Sequence, residues 1–297
     1  MLYNLLKISV RVALQFYCKR IVFHYKENHE PCILACSHPN SFLDAMIMGA
    51  LLPRKIHFLA RGDAFKKPGV ARLLNAMHMI PIYRLSEGKE NLGKNEETFH
   101  RSIEILRENG CILIFPEGIC VNEYNVRPLR KGTFRMAINA WKNEGLSNLH
   151  IQPVSIVYDS FDAVPKSIHV HFGEVMHESH HSKTFNDTLH QRLETGMQEG
   201  LKQLAPRRRN RWLLALPAAI GWFTQRWFYV LWRNFAWKKT KGTVFYDSVV
   251  FTGMLLTYPL LLLAVAGVAA AAFGAWAWWL LAVLPFTAWC YKEYKSV

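Results

Sequence analysis

Residues 32–44 read Cys-Ile-Leu-Ala-Cys-Ser-His-Pro-Asn-Ser-Phe-Leu-Asp, and this stretch decides both the expected fold and the expected site. Its first five residues are apolar throughout, which is typical of a strand buried on both faces of a sheet. The proline after His38 disfavours helical geometry for the histidine, so His38 is expected in the loop that leaves the strand. Asn40 or Ser41 then supplies a natural helix N-cap. The stretch therefore predicts a strand, a loop bearing His38 and a helix with Asp44 in its first turn.

The same alternation of short apolar runs and helical segments continues from about Pro31 to Ala205. Strands are predicted at Cys32–Cys36, Ile56–Ala60, Met79–Tyr83, Cys111–Phe115, Ile151–Tyr158 and Ile168–Phe172. In the last of these, apolar residues alternate with histidines, which predicts that one face is more exposed to solvent. Helices are predicted near Ser41–Leu51, Gly69–Ala76, Leu92–Glu108, Gly132–Trp141 and Asn186–Leu204. Apolar strands separated by helices indicate an α/β fold, with a mixed, largely parallel sheet flanked by helices.

The N-terminal segment has a different character. Residues 2 to about 24 predict an amphipathic helix, because apolar positions recur at helical spacing between basic residues, and this suits an anchor lying in a membrane interface. An ordinary surface helix of the domain is the alternative. A cleavable signal peptide is not expected, because Lys7 and Arg11 interrupt the apolar run and no small-residue cleavage site follows it.

A basic, tryptophan-rich stretch precedes an uncharged tail. Residues 203–246 contain no acidic residue, and their arginines and lysines alternate with tryptophans as in a lipid headgroup layer, which predicts one or two interfacial helices. Residues 248–291 carry no charge and are long enough for two membrane spans with a turn at Phe273-Gly274. Lysines flank this tail on both sides, so the positive-inside rule places both of its ends in the cytoplasm. A re-entrant hairpin in one leaflet is the alternative.

Composition agrees with a membrane-bound protein. The chain has 297 residues, is 51% hydrophobic and carries a formal charge of +14, a combination that suits a protein held against an anionic membrane surface. The basic residues lie beside apolar runs rather than in a nucleic-acid-binding motif, so no nucleic-acid partner is expected. Six cysteines without a Cys-x-x-Cys pair indicate a reducing compartment, with neither disulfides nor structural zinc.

His38 and Asp44 are residue types that together can act as a general base. If Asp44 accepts a hydrogen bond from one ring nitrogen of His38, it fixes the tautomer and favours the imidazolium that forms when His38 takes a proton. The alternative is that Ser41 and Asp44 form an approximate capping box. No Gly-x-Ser-x-Gly elbow is present, which favours direct activation of a substrate hydroxyl over a serine lipid hydrolase. No metal motif, Walker loop or dinucleotide fingerprint appears, so neither a metal nor a bound cofactor is expected.

Four blocks in chain order resemble the motifs of the glycerol-phosphate and lysophosphatidate acyltransferase superfamily. They are His38–Asp44, Met79–Arg84, Phe115–Gly118 and Ile151–Val154. The resemblance covers roughly residues 30–175, and the apolar tail also resembles that of a bacterial branch with C-terminal membrane helices. Together with the residue patterns described above, it predicts four regions: a membrane-anchoring helix at 1–25, an acyltransferase domain at 26–206, a basic aromatic interfacial segment at 207–246 and two transmembrane helices at 247–297.

The resemblance also implies a role for each block. His38 would deprotonate the acceptor hydroxyl for attack on an acyl thioester, with Asp44 as its partner. The positions that would shape the phosphate and acceptor pocket are Arg84, Glu117 and Gly118, with Glu117 holding a hydroxyl or a neighbouring arginine, and Pro153 would line the acyl side.

Two departures from the family pattern affect the site. His38 and Asp44 are separated by one residue more than is usual in the family. The arginine that usually follows the Phe-Pro-Glu-Gly block is missing, and Ile119-Cys120-Val121 stands there instead. The basic residues that would replace it at the start of the next helix are Arg127, Arg130 and Lys131.

The implied reaction is transfer of a fatty acyl chain from acyl-CoA or acyl carrier protein to the hydroxyl of lysophosphatidate in phospholipid synthesis. Glycerol 3-phosphate and other lyso-lipids are the alternative acceptors. The implied partners are membrane lipids, the acyl donor and the acceptor; the oligomeric state is left open. The resemblance implies an integral membrane protein with its catalytic domain on the cytoplasmic face of a bacterial inner membrane.

Overall fold

The computed structural model describes residues 2–26, 28–83, 93–179, 181–204 and 211–295. The helices are α1 (Leu2–Tyr17), α2 (Phe42–Leu51), α3 (Pro68–Ala76), α4 (Asn95–Arg107), α5 (Gly132–Ile138), α6 (Ser182–Gln203), α7 (Ala215–Thr240), α8 (Tyr246–Phe273) and α9 (Leu280–Lys295). The strands are β1 (Cys18–Phe23), β2 (Cys32–Cys36), β3 (His57–Arg61), β4 (Met79–Ile82), β5 (Cys111–Ile114), β6 (His150–Tyr158) and β7 (Lys166–Phe172). Three-residue-per-turn segments lie at Gly62–Phe65, Trp212–Leu214 and Ala275–Trp279, and α5 continues as a π-helical turn at Asn139–Asn143.

The strands form one seven-stranded sheet in the order β1-β7-β6-β2-β5-β3-β4. Every neighbouring pair is parallel except β6 and β7, which are antiparallel. The central strands β2 and β5 are buried along their whole length, as strands covered on both faces must be. The predicted mixed, largely parallel sheet with flanking helices is therefore confirmed.

Two apolar layers cover the two faces of the sheet. Alternate residues of β2 contribute to each: Leu34 belongs to one layer and Ile33 to the other, because successive side chains of a strand point to opposite faces. The Leu34 layer receives α1, α2 and the first turns of α8, whereas the Ile33 layer receives α4, α5 and α6. The beginning of the uncharged tail is thus part of the core of the α/β domain.

The N-terminal prediction was partly wrong. The helix expected over residues 2 to about 24 ends at Tyr17, and Cys18–Phe23 forms the edge strand β1, parallel to β7. Ile-Val-Phe at the end of this segment favours a strand once the free edge of β7 is available to pair with it. Residues 2–23 are therefore a helix followed by a strand.

Helix α1 is docked on the domain and still exposes an apolar stripe. Lys7 and Arg11 donate to the main-chain carbonyls that end α2, Lys7 to Pro53 and Arg11 to Ala50, so these two charges complete a helix C-terminus. The exposed apolar side chains of α1 are Leu2, Leu5, Ile8 and Val12. The helix is consequently both a surface helix of the domain and a carrier of an uncovered apolar face.

The C-terminal helices α7, α8 and α9 pack on one another. Gly221 of α7 lies against the backbone of Thr287 in α9, where a Cβ would come within 2.2 Å of the carbonyl oxygen. Of the helices in the described ranges, α8 is the one long and apolar enough to cross a membrane. Helix α9 has 16 residues and contains Pro285, so the second of the two expected spans, and with it the transmembrane hairpin, stays a prediction.

Candidate active site

The structure brings His38 and Asp44 together. His38 lies in the loop between β2 and α2, and Asp44 lies in the first turn of α2. The distance from His38 Nδ1 to Asp44 Oδ2 is 2.9 Å. The Asp44 side chain is 0% exposed and the His38 side chain is 16% exposed, so the carboxylate is buried whereas the imidazole is partly accessible to solvent.

Two further hydrogen bonds hold the Asp44 carboxylate. Its Oδ2 also accepts the main-chain N–H of Asn40 at 2.8 Å, and its Oδ1 accepts the hydroxyl of Tyr158 at 2.6 Å. Burial, followed by the charge of Asp44, raises the pKa of Tyr158 well above its ordinary value, so this hydroxyl remains a donor. Asp44 is therefore fixed from two directions, and it presents one oxygen to the imidazole.

The capping-box alternative is not what the structure shows. Ser41 occupies the N-cap of α2 without a side-chain capping bond, and its main-chain N–H is directed at Cys120 Sγ, 2.9 Å away. The φ angle of Ser41 is 54°, in the left-handed region that costs a non-glycine residue about 1–3 kcal/mol. This strained residue makes the bend between loop and helix that lets His38 meet Asp44.

The Phe-Pro-Glu-Gly block supports the histidine. The Phe115 ring stacks on the His38 ring with 3.8 Å between centroids and 15° between planes. Glu117 accepts the main-chain N–H of His38 on one oxygen and that of Arg127 on the other, both at 3.0 Å. Burial raises the pKa of Glu117, and these two bonds oppose the increase. Glu117 thus ties two loops together through backbone amides, one of them that of Arg127. Its predicted role of holding a hydroxyl or a neighbouring arginine stays a prediction.

The basic residues expected to bind phosphate surround the same turn. Gly118 has a φ of 69°, and the Arg130 side chain lies against it. The Arg127 guanidinium forms an ion pair with Glu123 at 2.5 Å, so it is engaged locally. Arg130 and Lys131 are exposed at the start of α5. Helix α5 has only seven residues before its π-helical turn, so these side chains, rather than the helix N-terminus, are the available anion ligands.

Arg84 and Pro153 are the two remaining predicted site residues. Arg84 falls outside the described residues. Pro153 is buried inside β6, opposite Ala35 of β2, and its carbonyl accepts the Gly173 N–H at 2.9 Å. Its predicted contact with the acyl chain stays a prediction.

Sequence reasoning missed the residues that hold the loop from a distance. Asp247, in the first turn of α8, accepts the side-chain amide of Asn40 at 2.6 Å and pairs with Lys166 of β7 at 2.6 Å, and all three side chains are buried. The available signal was Asp247 itself, a lone acid between an acid-free basic stretch and an uncharged tail. For Tyr158, the last residue of a predicted strand, no sequence signal pointed to the site.

One group of side chains in the described ranges has the spacing of metal ligands. The candidate ligand atoms of His38, Asp44 and Cys120 all lie within 4.8 Å of one another. Burial raises the pKa of the Cys120 thiol to about 12, and its sulfur accepts the Ser41 N–H. A protonated thiol is a poor metal ligand, because metals bind the thiolate.

A cavity of about 350 Å³ opens beside the loop. Its lining includes Asn40, Asn122, Trp237 near the end of α7, and Lys241 in the turn between α7 and α8. Asn122 also donates to the Pro39 carbonyl at 2.7 Å. His38 and Glu117 are not among the lining residues, so the cavity reaches the loop at Asn40 rather than at the imidazole.

The chain is similar to one protein family, to one curated protein and to one solved structure. Residues 20–157 match the family model described as Acyltransferase. The chain is 27% identical over 106 residues to 1-acyl-sn-glycerol-3-phosphate acyltransferase of Bacillus subtilis (strain 168), covering 35% of this chain and 48% of that protein. The fold resembles that of the 1-acyl-sn-glycerophosphate (LPA) acyltransferase PlsC from Thermotoga maritima, with a TM-score of 0.50, 15% sequence identity and coverage of 70% of this chain and 81% of that chain.

His38, in the loop after the central strand β2, and Asp44, in the first turn of α2, both lie within residues 20–157, the range that matches the family model. The predicted resemblance of the chain to the glycerol-phosphate and lysophosphatidate acyltransferase superfamily is confirmed by the family match over residues 20–157. The chain spans about half the length of the curated relative it matches.

Proposed function

We propose that the chain is a membrane-bound O-acyltransferase that moves a fatty acyl group from an acyl-CoA or acyl carrier protein thioester to the hydroxyl of lysophosphatidate. The observation that carries the proposal is the His38–Asp44 contact, in which a buried, fully bonded carboxylate faces a partly exposed imidazole. Such a pair can take a proton from a bound alcohol and stabilise the resulting imidazolium.

The proposed reaction uses each ring nitrogen once. An ionised carboxylate only accepts hydrogen bonds, so Nδ1–H donates to Asp44 Oδ2 and leaves Nε2 as the base. Nε2 takes the proton of the acceptor hydroxyl as its oxygen attacks the thioester carbonyl. The tetrahedral intermediate then expels the thiol sulfur, and His38 returns the proton to it. The products are an ester and a free thiol, and the imidazole is neutral again.

The serine-hydrolase alternative receives no support from the nearest serine. Ser37 is buried, and its hydroxyl oxygen accepts the Ile156 N–H at 2.9 Å. This bond ties the Ser37 side chain to the sheet, which argues against Ser37 as a serine nucleophile.

Exposed apolar surfaces support a membrane location. Along α7 a continuous stripe of exposed large side chains recurs at intervals of three and four residues, formed by Leu216, Ile220, Phe223, Trp227, Leu231 and Phe235. Contiguous apolar surface of this kind marks an interface with lipid or protein. Together with the apolar stripe of α1 and the length of α8, it favours a protein embedded in a bilayer with the sheet on the cytoplasmic side.

One competition assay tests the proposal. Membranes containing the protein are supplied with a labelled acyl thioester and with lysophosphatidate, glycerol 3-phosphate and a phosphate-free lyso-lipid together. We expect label mainly in phosphatidate, and we expect His38→Ala to lower the rate roughly 10²–10⁴-fold while the protein stays in the membrane. Free fatty acid as the main product, or an unchanged rate in His38→Ala, would contradict the proposal.

The acceptor phosphate has its own test. Arg130 lies exposed against the Gly118 turn, where the family's usual arginine is missing, so we assign it to the phosphate. Arg130→Ala should raise the KM for lysophosphatidate far more than the KM for the acyl donor. Lys142→Ala, on the π-helical turn after α5, is the control. An equal loss for both substrates would remove Arg130 from the phosphate site.

A further inference from the structure

We propose that Asp247, at the beginning of α8, is a positioning residue that sets the geometry of the catalytic loop through Asn40. The inference rests on the proposed function and extends it, because it makes the C-terminal helix part of the active-site architecture. Residues 20–157 carry the family match, and Asp247 lies outside that range.

The contact path from Asp247 to the imidazole is short and buried. Asp247 Oδ2 accepts the side-chain amide of Asn40 at 2.6 Å. The main-chain N–H of the same asparagine donates to Asp44 Oδ2 at 2.8 Å, and that oxygen also contacts His38 Nδ1 at 2.9 Å. Asn40 and Asp44 are both 0% exposed and Asp247 is 1% exposed, so water does not replace these bonds.

The neighbouring residue in α8 makes a second pair of bonds to the same loop. The Ser248 hydroxyl accepts the Leu43 N–H at 3.0 Å and donates to the Asn40 carbonyl at 3.1 Å. It therefore satisfies an orphan amide in the first turn of α2, a task that the residue at the N-cap leaves undone. Both polar side chains of the first turn of α8 are thus directed at the loop that carries His38.

Asp247 is itself held in place from the sheet side. Lys166, the first residue of β7, pairs with it at 2.6 Å, and the Tyr17 hydroxyl donates to it. Lys166 is 0% exposed, so its charge depends on Asp247 for compensation. This arrangement fixes the Asp247 carboxylate before it contacts Asn40, which is what a residue that positions another residue requires.

The test must separate this positioning from the burial of an unpaired charge. In a Lys166→Met background, Asp247→Asn and Asp247→Leu have the same net charge and nearly the same volume. The asparagine keeps an oxygen that can accept the Asn40 amide, whereas the leucine keeps none. Asp162→Asn is the matched control, since Asp162 lines the same cavity and is exposed. All variants are made in the full-length, membrane-inserted protein.

Two readouts are used, and one of them needs no catalytic activity. The first is kcat and KM for acyl transfer. The second is the rate at which N-ethylmaleimide alkylates Cys120, measured by peptide mass spectrometry. Cys120 contacts the Ser41 N–H and is partly shielded, so a released loop should expose its thiol.

We expect Asp247→Leu/Lys166→Met to lower kcat at least 30-fold with KM changed less than threefold, and to label Cys120 about tenfold faster. Asp247→Asn/Lys166→Met should stay within fivefold of the unmodified protein in both readouts, and Asp162→Asn within twofold of it. Equal effects of asparagine and leucine would overturn the inference, as would a loss confined to KM.

The two proposals fail in different ways. If the unmodified protein transfers no acyl group and Cys120 labelling still separates leucine from asparagine, the loop is positioned as inferred and the proposed function is wrong. If transfer occurs and neither readout separates the two variants, the proposed function stands and the positioning role is wrong.

Discussion

Replacing Asp44 with asparagine isolates the charge of the proposed catalytic pair. The amide oxygen of the new side chain can take the place of Oδ2 and accept both the Asn40 N–H and the Nδ1–H of His38. The amide nitrogen then faces the Tyr158 hydroxyl, which can rotate to accept its proton. Asp44→Asn therefore keeps the geometry of the loop and removes the negative charge behind the imidazole.

The expected loss follows from that missing charge. A hydrogen bond to a charged group contributes about 1.5–3 kcal/mol, and the carboxylate is 0% exposed, so water does not screen the pair. The carboxylate interacts most strongly with the imidazolium that forms as the substrate proton is taken. Removing it should lower kcat roughly 10–150-fold, since about 1.4 kcal/mol corresponds to a factor of ten. The KM values of both substrates should change little.

The assay is acyl transfer from a labelled thioester to lysophosphatidate, with kcat and KM determined separately. Asp187→Asn, on the exposed surface of α6, is the control and should stay within twofold of the unmodified protein. Thermal unfolding of the detergent-solubilised variants shows whether the fold is retained. An Asp44→Asn enzyme within threefold of the unmodified kcat would refute the general-base reasoning, and so would a loss carried entirely by KM.

Three smaller perturbations act on the groups around the pair. Tyr158→Phe removes one bond to Asp44 and should lower kcat roughly 3–10-fold in the same assay, so an unchanged kcat would show that the bond does not orient the carboxylate. Gly118→Ala should destabilise the fold by about 1–2 kcal/mol in thermal unfolding, because φ is 69° and the new Cβ would meet Arg130 Cγ at 3.0 Å; an unchanged melting temperature would contradict this. Burial raises the pKa of Glu117 above 4.5, so its contribution to stability is present below pH 4.5 and is lost as pH rises through the folded-state pKa. Glu117→Gln should therefore flatten the decline in unfolding free energy above pH 4.5, and an identical slope in both proteins would exclude this origin.

The parts of the fold that the sequence predicted are those with a strong local pattern. Cys32–Cys36 is a run of apolar residues, and it forms β2 with the predicted bounds. The strand Cys18–Phe23 was missed because the helical spacing of apolar residues continues into it. Residues 18–23 form a strand because they pair with β7, which begins at Lys166. A local sequence pattern cannot predict pairing with a strand so distant in the sequence.

The candidate site shows the same division. The proline and the N-cap between His38 and Asp44 are local features, and they predicted the loop and the helix start. They left open whether Asp44 contacts the imidazole or caps the helix. The bonds from Tyr158 and Asp247 cross 114 and 207 positions of sequence, and only the folded sheet brings them to the loop. The hydrogen bonds that Glu117 accepts could not be predicted from the sequence either. Their donors are main-chain N–H groups, which every non-proline residue possesses.

The loop that carries His38 and the first turn of α2 that follows it are held by three separate elements. Tyr158 reaches this region from β6, Glu117 from the turn after β5, and Ser248 from α8. A single one of these contacts would leave the strained residue Ser41 free to relax, since a left-handed conformation persists only where its surroundings over-determine it. The α8 contact differs from the others because its element also inserts apolar side chains into the core. Deleting the tail would consequently remove part of the domain core and a support of the loop that carries His38, together with any membrane anchor. Loss of activity on truncation therefore cannot be read as loss of membrane attachment, and point variants in the first turn of α8 are needed to distinguish the two.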